Sequence, residues 1–193
     1  MEKTMTVLHE NSKGIKIIRE DYKKRSKVNV LGFNGTPIRT YRFNNVPEYK
    51  HPYLSWENLD HCGGWATDDR YLLSAVNEGK KPAAQYYYGY ESVPETKKSK
   101  DIEVFVEYIR NWVFITRTGS LNDLFDIDSI IEAYKKHDIL LDKEELMPYM
   151  ERPIMDLMKE KFFISQANDT ETVITGLMLG YPIESTASIL WGY

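Results

Sequence analysis

The chain has 193 residues, 42% of them hydrophobic and 13% aromatic, with 25 Lys+Arg against 29 Asp+Glu and a single cysteine. This is enough apolar surface for one ordinary domain or two small lobes. One cysteine excludes an intrachain disulfide framework, and the absence of any apolar run near ~20 residues excludes a membrane-crossing helix. The charge is uneven: residues 1–100 carry 17 Lys+Arg and 12 Asp+Glu, residues 101–193 carry 8 and 17, so a net +5 stands against a net −9. A field of this kind steers charged partners, or simply draws the two halves together. The start MEKTMTVLHENSKG has neither the basic region nor the apolar core of a secretory signal, so a soluble, cytoplasmic protein is expected.

In chain order, GIKIIRE (14–20), VNVLGF (28–33) and TPIRTYRF (36–43) are rich in β-branched and aromatic residues. They predict a three-stranded antiparallel meander, with Asn34-Gly35 supplying a tight two-residue hairpin turn and Pro37 placing its strand at an edge or a strand start. The segment 44–65 has two prolines, paired glycines and no sustained period, and reads as a long ordered loop pinned by Tyr49, Tyr53, Trp56 and Trp65. Thr67 is placed to cap a helix that ends at Gly79, with Asp68 and Asp69 in its first turn and Tyr71, Leu72, Ala75 and Val76 as its buried stripe. AQYYYGYES (84–92) predicts a strand, and SVPETKKSK (92–100) a linker.

Residues 101–117 carry strand-forming side chains, yet the polar Glu103, Glu107, Arg110 and Asn111 recur at helical spacing. The spacing favours a helix through about Val113; the alternative is a hairpin turning at Arg110-Asn111. Beyond Gly119 the pattern is helical. Asp128 is expected to cap 129–136, Asp142 with Glu145 to open a helix that Pro153 divides, and Asp169 to cap 170–179. Gly180 stops that helix and Pro182 opens a last short one over 183–191. The expected fold is α+β: an N-terminal antiparallel β-meander with an aromatic loop and one helix, followed by a mainly α-helical C-terminal half. The expected organisation is a β-rich lobe over 1–91, a linker over 92–100 and a helical lobe over 101–193, or one domain overall.

Chemistry is sparse. Cys62 lies beside His61, before Gly63-Gly64 and near the expected helix start, a setting that favours a thiolate and offers backbone N–H groups to an oxyanion. The surrounding NLDHCGGW does not complete a thiol-hydrolase pattern. The papain-like arrangement puts the reactive Cys directly before the Trp, where Gly64 stands, and the Asp-Cys-Ser-Gly of peptidoglycan hydrolases is broken by His61. As a neighbour in extended chain, His61 points away from the thiol, which leaves His51 and His137 as candidate bases. The plain reading is a small packed thiol at a turn. A mixed metal set of His51, Asp60, His61, Cys62 and Asp68 or Asp69 matches no tight zinc spacing, and no metal or cofactor is expected.

DYKKRSK offers Lys23, Lys24, Arg25 and Lys27 to phosphates, though short basic runs between strands are ordinarily solvated connectors. Tyr86, Tyr87, Tyr88 and Tyr90 place rings on both faces of one strand; exposed tyrosines mark partner surfaces, buried ones a core. Met147, Met150, Met155 and Met158 with Leu146, Ile154 and Leu157 form a stripe that a helix core explains, and an adaptable Met-rich groove is the lesser reading. Phosphate loops, His-Glu-x-x-His and Gly-x-Ser-x-Gly are all missing. The expected function is therefore non-catalytic binding of a macromolecular partner, most simply a protein, by an accessory, inhibitor or immunity-type molecule. A Cys-His enzyme centred on Cys62 and a nucleic-acid-associated protein using 21–27 are the alternatives, and no membrane association is expected.

Overall fold

Alternation of apolar and polar residues builds the first half of the fold. The computed structural model describes residues 3–59, 69–89, 99–160 and 168–192. Strands β1 (Thr4–Glu10), β2 (Lys16–Asp21), β3 (Arg25–Leu31) and β4 (Pro37–Asn44) form an antiparallel sheet in that order. The meander expected from residue 14 onward is present, and β1 adds a fourth strand ahead of it. Ile17, Val28, Val30, Tyr41 and Phe43 face inward, where they pack with Ile15, Trp56 and Leu59 as one core. Pro37 is the first residue of β4, where a missing N–H costs no ladder bond. The turn before it is longer than the two-residue hairpin expected. Of the two turn residues only Gly35 has positive φ, Gly35 N–H donates to Gly32 O, and the register of β3 on β4 shifts between Val30 and Leu31.

The loop after β4 closes through one 3-10 turn, Trp56–Leu59, whose Trp56 stacks on Phe43 at 6.1 Å and meets Tyr41 edge-on. Helix α1 (Asp69–Asn77) ends at Gly79, φ +73°. Trp65, the expected cap Thr67 and most of the expected linker, residues 92–98, lie outside the described residues. Leu72, Leu73 and Val76 of α1 cover one face of a second sheet built from β5 (Ala83–Tyr87), β6 (Ile102–Glu107) and β7 (Trp112–Arg117), in the order β5-β7-β6. Residues 102–117 are thus a hairpin, and the favoured helix over this segment is corrected. Ile102 and Ile115 pack against α1 from one face while Phe114 enters the helical core from the other, an arrangement that needs the two-sided alternation of a strand. Asn111 takes the left-handed turn conformation, φ 58°.

Beyond β7 the described residues form the helices α2 (Ile127–Lys135), α3 (Lys143–Met150), α4 (Ile154–Lys159), α5 (Asp169–Met178) and α6 (Ile183–Leu190). Two expected caps move. Asp126, not Asp128, caps α2 by accepting from Ser129 N–H, because Ile127 must enter the core; Asp128 pairs with Lys143 instead. Asn168, not Asp169, caps α5, and Glu171 returns to Asn168 N–H to complete a capping box. Asn168→Ala should therefore cost about 1 kcal/mol while Asp169→Ala stays near silent, as urea midpoints would record. Asp142 caps α3, and Pro153 separates α3 from α4. The methionine stripe is core: Met150, Met155 and Met158 are buried with Leu146, Ile154 and Leu157 in the largest apolar cluster, and Met147 packs on its margin.

Candidate functional site

Where α6 meets the first sheet, the interior turns polar. Glu184, Ser185, Thr186 and Ser188 are all buried on α6. Ser188 Oγ accepts from the edge amide of Arg42 in β4 at 3.0 Å, and Glu184 Oε1 accepts from Tyr49 N–H at 3.1 Å, tying the loop after β4 to the helix start. Among the described residues, neither Glu184 Oε2 nor His137 Nδ1 meets a hydrogen-bond partner. Burial pushes the Glu184 carboxyl up to about 7; its own and the Tyr49 amide oppose this, Glu48 adds to it and Arg19 opposes it. Burial likewise pushes His137 down to about 4, helped by the charge of Arg19.

Arg19 is the cation of this seam. Its Nε reaches Asp21 at 2.8 Å, Asp21 also accepts a short bond from Ser26 Oγ, and the guanidinium lies over Phe43. His137 approaches the same Phe43 ring edge-on at 6.0 Å. Tyr134, whose hydroxyl bonds the Thr186 side chain, is pushed up by burial. His137, a candidate base in the sequence, directly follows α2 and is a neutral interior group. Glu184, Tyr134 and His137 are each no more than 1% exposed, so the protons they hold bear on the stability of the fold rather than on an outside substrate.

His51 is held between rings, 4.7 Å from Phe125 and 6.3 Å from Tyr49, with Nδ1 accepting from Tyr53 N–H. Burial lowers its pKa against the opposing effect of a hydrogen bond to the Leu124 backbone. These contacts make it a loop anchor. Asp60, His61, Cys62 and Asp68, on which the thiol and metal readings rest, lie outside the described residues, and Asp69 opens α1.

The basic run is a turn. Lys23 and Lys24 are exposed between β2 and β3, Arg25 lies 4.9 Å over the Trp191 ring, and Lys27 is half-buried opposite Glu20. In the tyrosine strand, Tyr88 is buried, Tyr86 packs at the margin of the α1 core, and Tyr87 is 53% exposed; Tyr90 lies outside the described residues.

Tyr87 belongs to a ridge that composition does not reveal. It meets Trp112 at 5.5 Å across β5 and β7. Next along the same face, Phe105 stacks on Phe114 at 6.1 Å, with Lys159 Nζ 4.6 Å over its ring. At the end of this sheet the β6–β7 turn holds Tyr108 and Ile109, 74% and 92% exposed. The sequence signal for the ridge is the hairpin alternative for 101–117, since only a hairpin sets Ile109 at a tip.

The chain matches no protein-family model, no curated protein and no solved structure. Among the described residues, no helix is long and apolar enough to cross a membrane.

Proposed function

We propose that this chain is a non-catalytic binding protein, of accessory or inhibitory type, and that another protein docks on the ridge formed by Tyr87, Phe105, Tyr108, Ile109 and Trp112. The observation that carries this reading is Ile109, 92% exposed at a turn tip beside Tyr108. Turns favour Gly, Asn, Asp and Ser for their backbone and solvent needs, and a solvated Ile adds nothing to folding. Burying such a side chain at an interface contributes roughly 1.5–3 kcal/mol, and rigid aromatic neighbours are the usual anchors beside it.

Charge favours a protein over a nucleic acid as the occupant. Around the ridge Glu103 and Glu107 balance Arg110 and Lys159, with Glu107 3.6 Å from Arg110, whereas phosphate backbones call for unbalanced cations. The test is paired capture from a native extract. A partner retained by the wild type should be lost with Ile109→Asp, a loss of about 2 kcal/mol or ~30-fold in affinity. It should be kept by Leu140→Asp, an equally exposed apolar site elsewhere, 84% open. Equal retention by both variants would remove the ridge from binding.

A further inference from the structure

The two edges of the four-stranded sheet differ. Along β4, α6 covers the edge, Arg42 N–H donates to Ser188 Oγ, and Asn44 Nδ2 donates to Asp138 at 2.7 Å. Among the described residues no strand lies on the outer side of β1, and β1 carries no Lys, Arg, Asp, Glu or Pro between Thr4 and His9. Edge strands are ordinarily blunted by such residues, because an open ladder invites another strand. β1 has a single irregularity, the extra residue Leu8 between Val7 and His9, whose side chain packs against the first core. On its solvent side stand Met5 and Val7, 59% and 56% exposed.

The register fixes which residues share a face. Met5, Val7 and Glu10 stand opposite Glu20, Ile18 and Lys16 on the outer face, where Lys3 also reaches Glu20 at 2.9 Å. Thr4, Thr6 and His9 stand opposite Asp21, Arg19 and Ile17 on the inner face. A two-fold axis perpendicular to a sheet brings antiparallel edges together with faces preserved, so only residues of one face meet. With Leu8 left out of the ladder, an axis through Thr6 sets Met5 against Val7, Thr4 against His9 and Lys3 against Glu10. Apolar then meets apolar and cation meets anion at both ends. The intrachain pairs Lys3–Glu20 and Lys16–Glu10 extend each end into an alternating row of four charges.

We propose that a second copy of this chain docks antiparallel on the open edge of β1, centred on Thr6, to make one continuous eight-stranded sheet. The complementarity of Lys3 with Glu10, and of Met5 with Val7, identifies a copy of the same strand as the occupant rather than an unrelated strand.

Sedimentation over a wide concentration range should show a dimer for the wild type. Val7→Lys, at a solvent-facing position, should keep the circular dichroism spectrum and weaken the dimer by at least tenfold, roughly the loss of one interface anchor. In a Cys62→Ser background, Thr6→Cys should cross-link copy to copy on mild oxidation, since the two residues face each other at about 5 Å between Cβ atoms. Thr4→Cys, four ladder steps from its own copy, should not. A monomer at every concentration would overturn the proposal, as would a dimer unaffected by Val7→Lys or cross-linking from Thr4→Cys equal to that from Thr6→Cys.

Discussion

Glu184→Gln is expected to gain about 3 kcal/mol of stability relative to the wild type between pH 4 and pH 8. The Glu184 carboxyl, 0% exposed, ionises at about 7 in the fold against 4.5 when unfolded, and a tenfold change in proton affinity corresponds to about 1.4 kcal/mol. Because the folded state holds the extra proton, wild-type stability is intact below pH 4.5 and is lost as pH rises to 7. Glutamine does not titrate, so the difference between the two proteins opens across that interval. Its amide still accepts from Tyr49 N–H.

His137 acts with the opposite sign. It stays neutral in the fold down to about 4 but takes a proton near 6.5 when unfolded, so its contribution is present above 6.5 and is lost as pH falls to 4. Between 4.5 and 6.5 the two slopes oppose each other, and the pair contributes little pH dependence to the wild type. In Glu184→Gln the His137 slope is unopposed and the lowered pKa of His51 adds to it with the same sign, so stability should fall by at least about 1.4 kcal/mol for each pH step of one as the solution is acidified through that range. Urea midpoints from pH 4 to 8 measure both effects. A difference constant across pH would mean that Glu184 ionises like a solvated carboxylate, contrary to its place behind Tyr49.

Gly180→Ala should unfold the protein or cost at least about 3 kcal/mol, the range of severe overpacking and backbone strain combined. The residue has φ +69°, and an added Cβ would stand 2.5 Å from Tyr53 O, 2.6 Å from Asn58 Nδ2 and 3.2 Å from Pro82. This point joins three parts of the chain. Asn58 Nδ2 donates to Tyr53 O at 3.1 Å and to Gly180 O at 3.0 Å, while Ser55 N–H donates to the same Gly180 carbonyl. Gly35→Ala provides the comparison: its φ is +77° but nothing lies within 4 Å, so only the cost of the left-handed backbone, about 1–2 kcal/mol, applies. Thermal unfolding of the two variants separates strain alone from strain with collision.

The parts of the fold legible in the sequence are those set by local alternation and by breakers. β-branched runs mark β2 to β4, Pro37 opens its strand, and Gly79, Gly180 and Pro182 bound helices where expected. The caps slip because FDID and ANDT each offer two capping side chains, and burial of Ile127 or the return bond of Glu171 decides between them. Residues 102–117 mislead because Glu103, Glu107 and Arg110 fall at helical spacing within a run of strand formers, and pairing with β5 settles the conflict. Glu184 carries no signal, since an acid two residues after a proline resembles any first-turn helix acid. Its burial depends on Tyr49, 135 positions away. Ile109 is hidden for the same reason as its hairpin.

The most direct test of the binding ridge is site-specific photocrosslinking from a benzophenone side chain at position 109, with position 140 as the reference, in cells that make the protein. The ridge predicts one protein adduct from 109 and none from 140. No adduct from 109, or the same adducts from both positions, would contradict it.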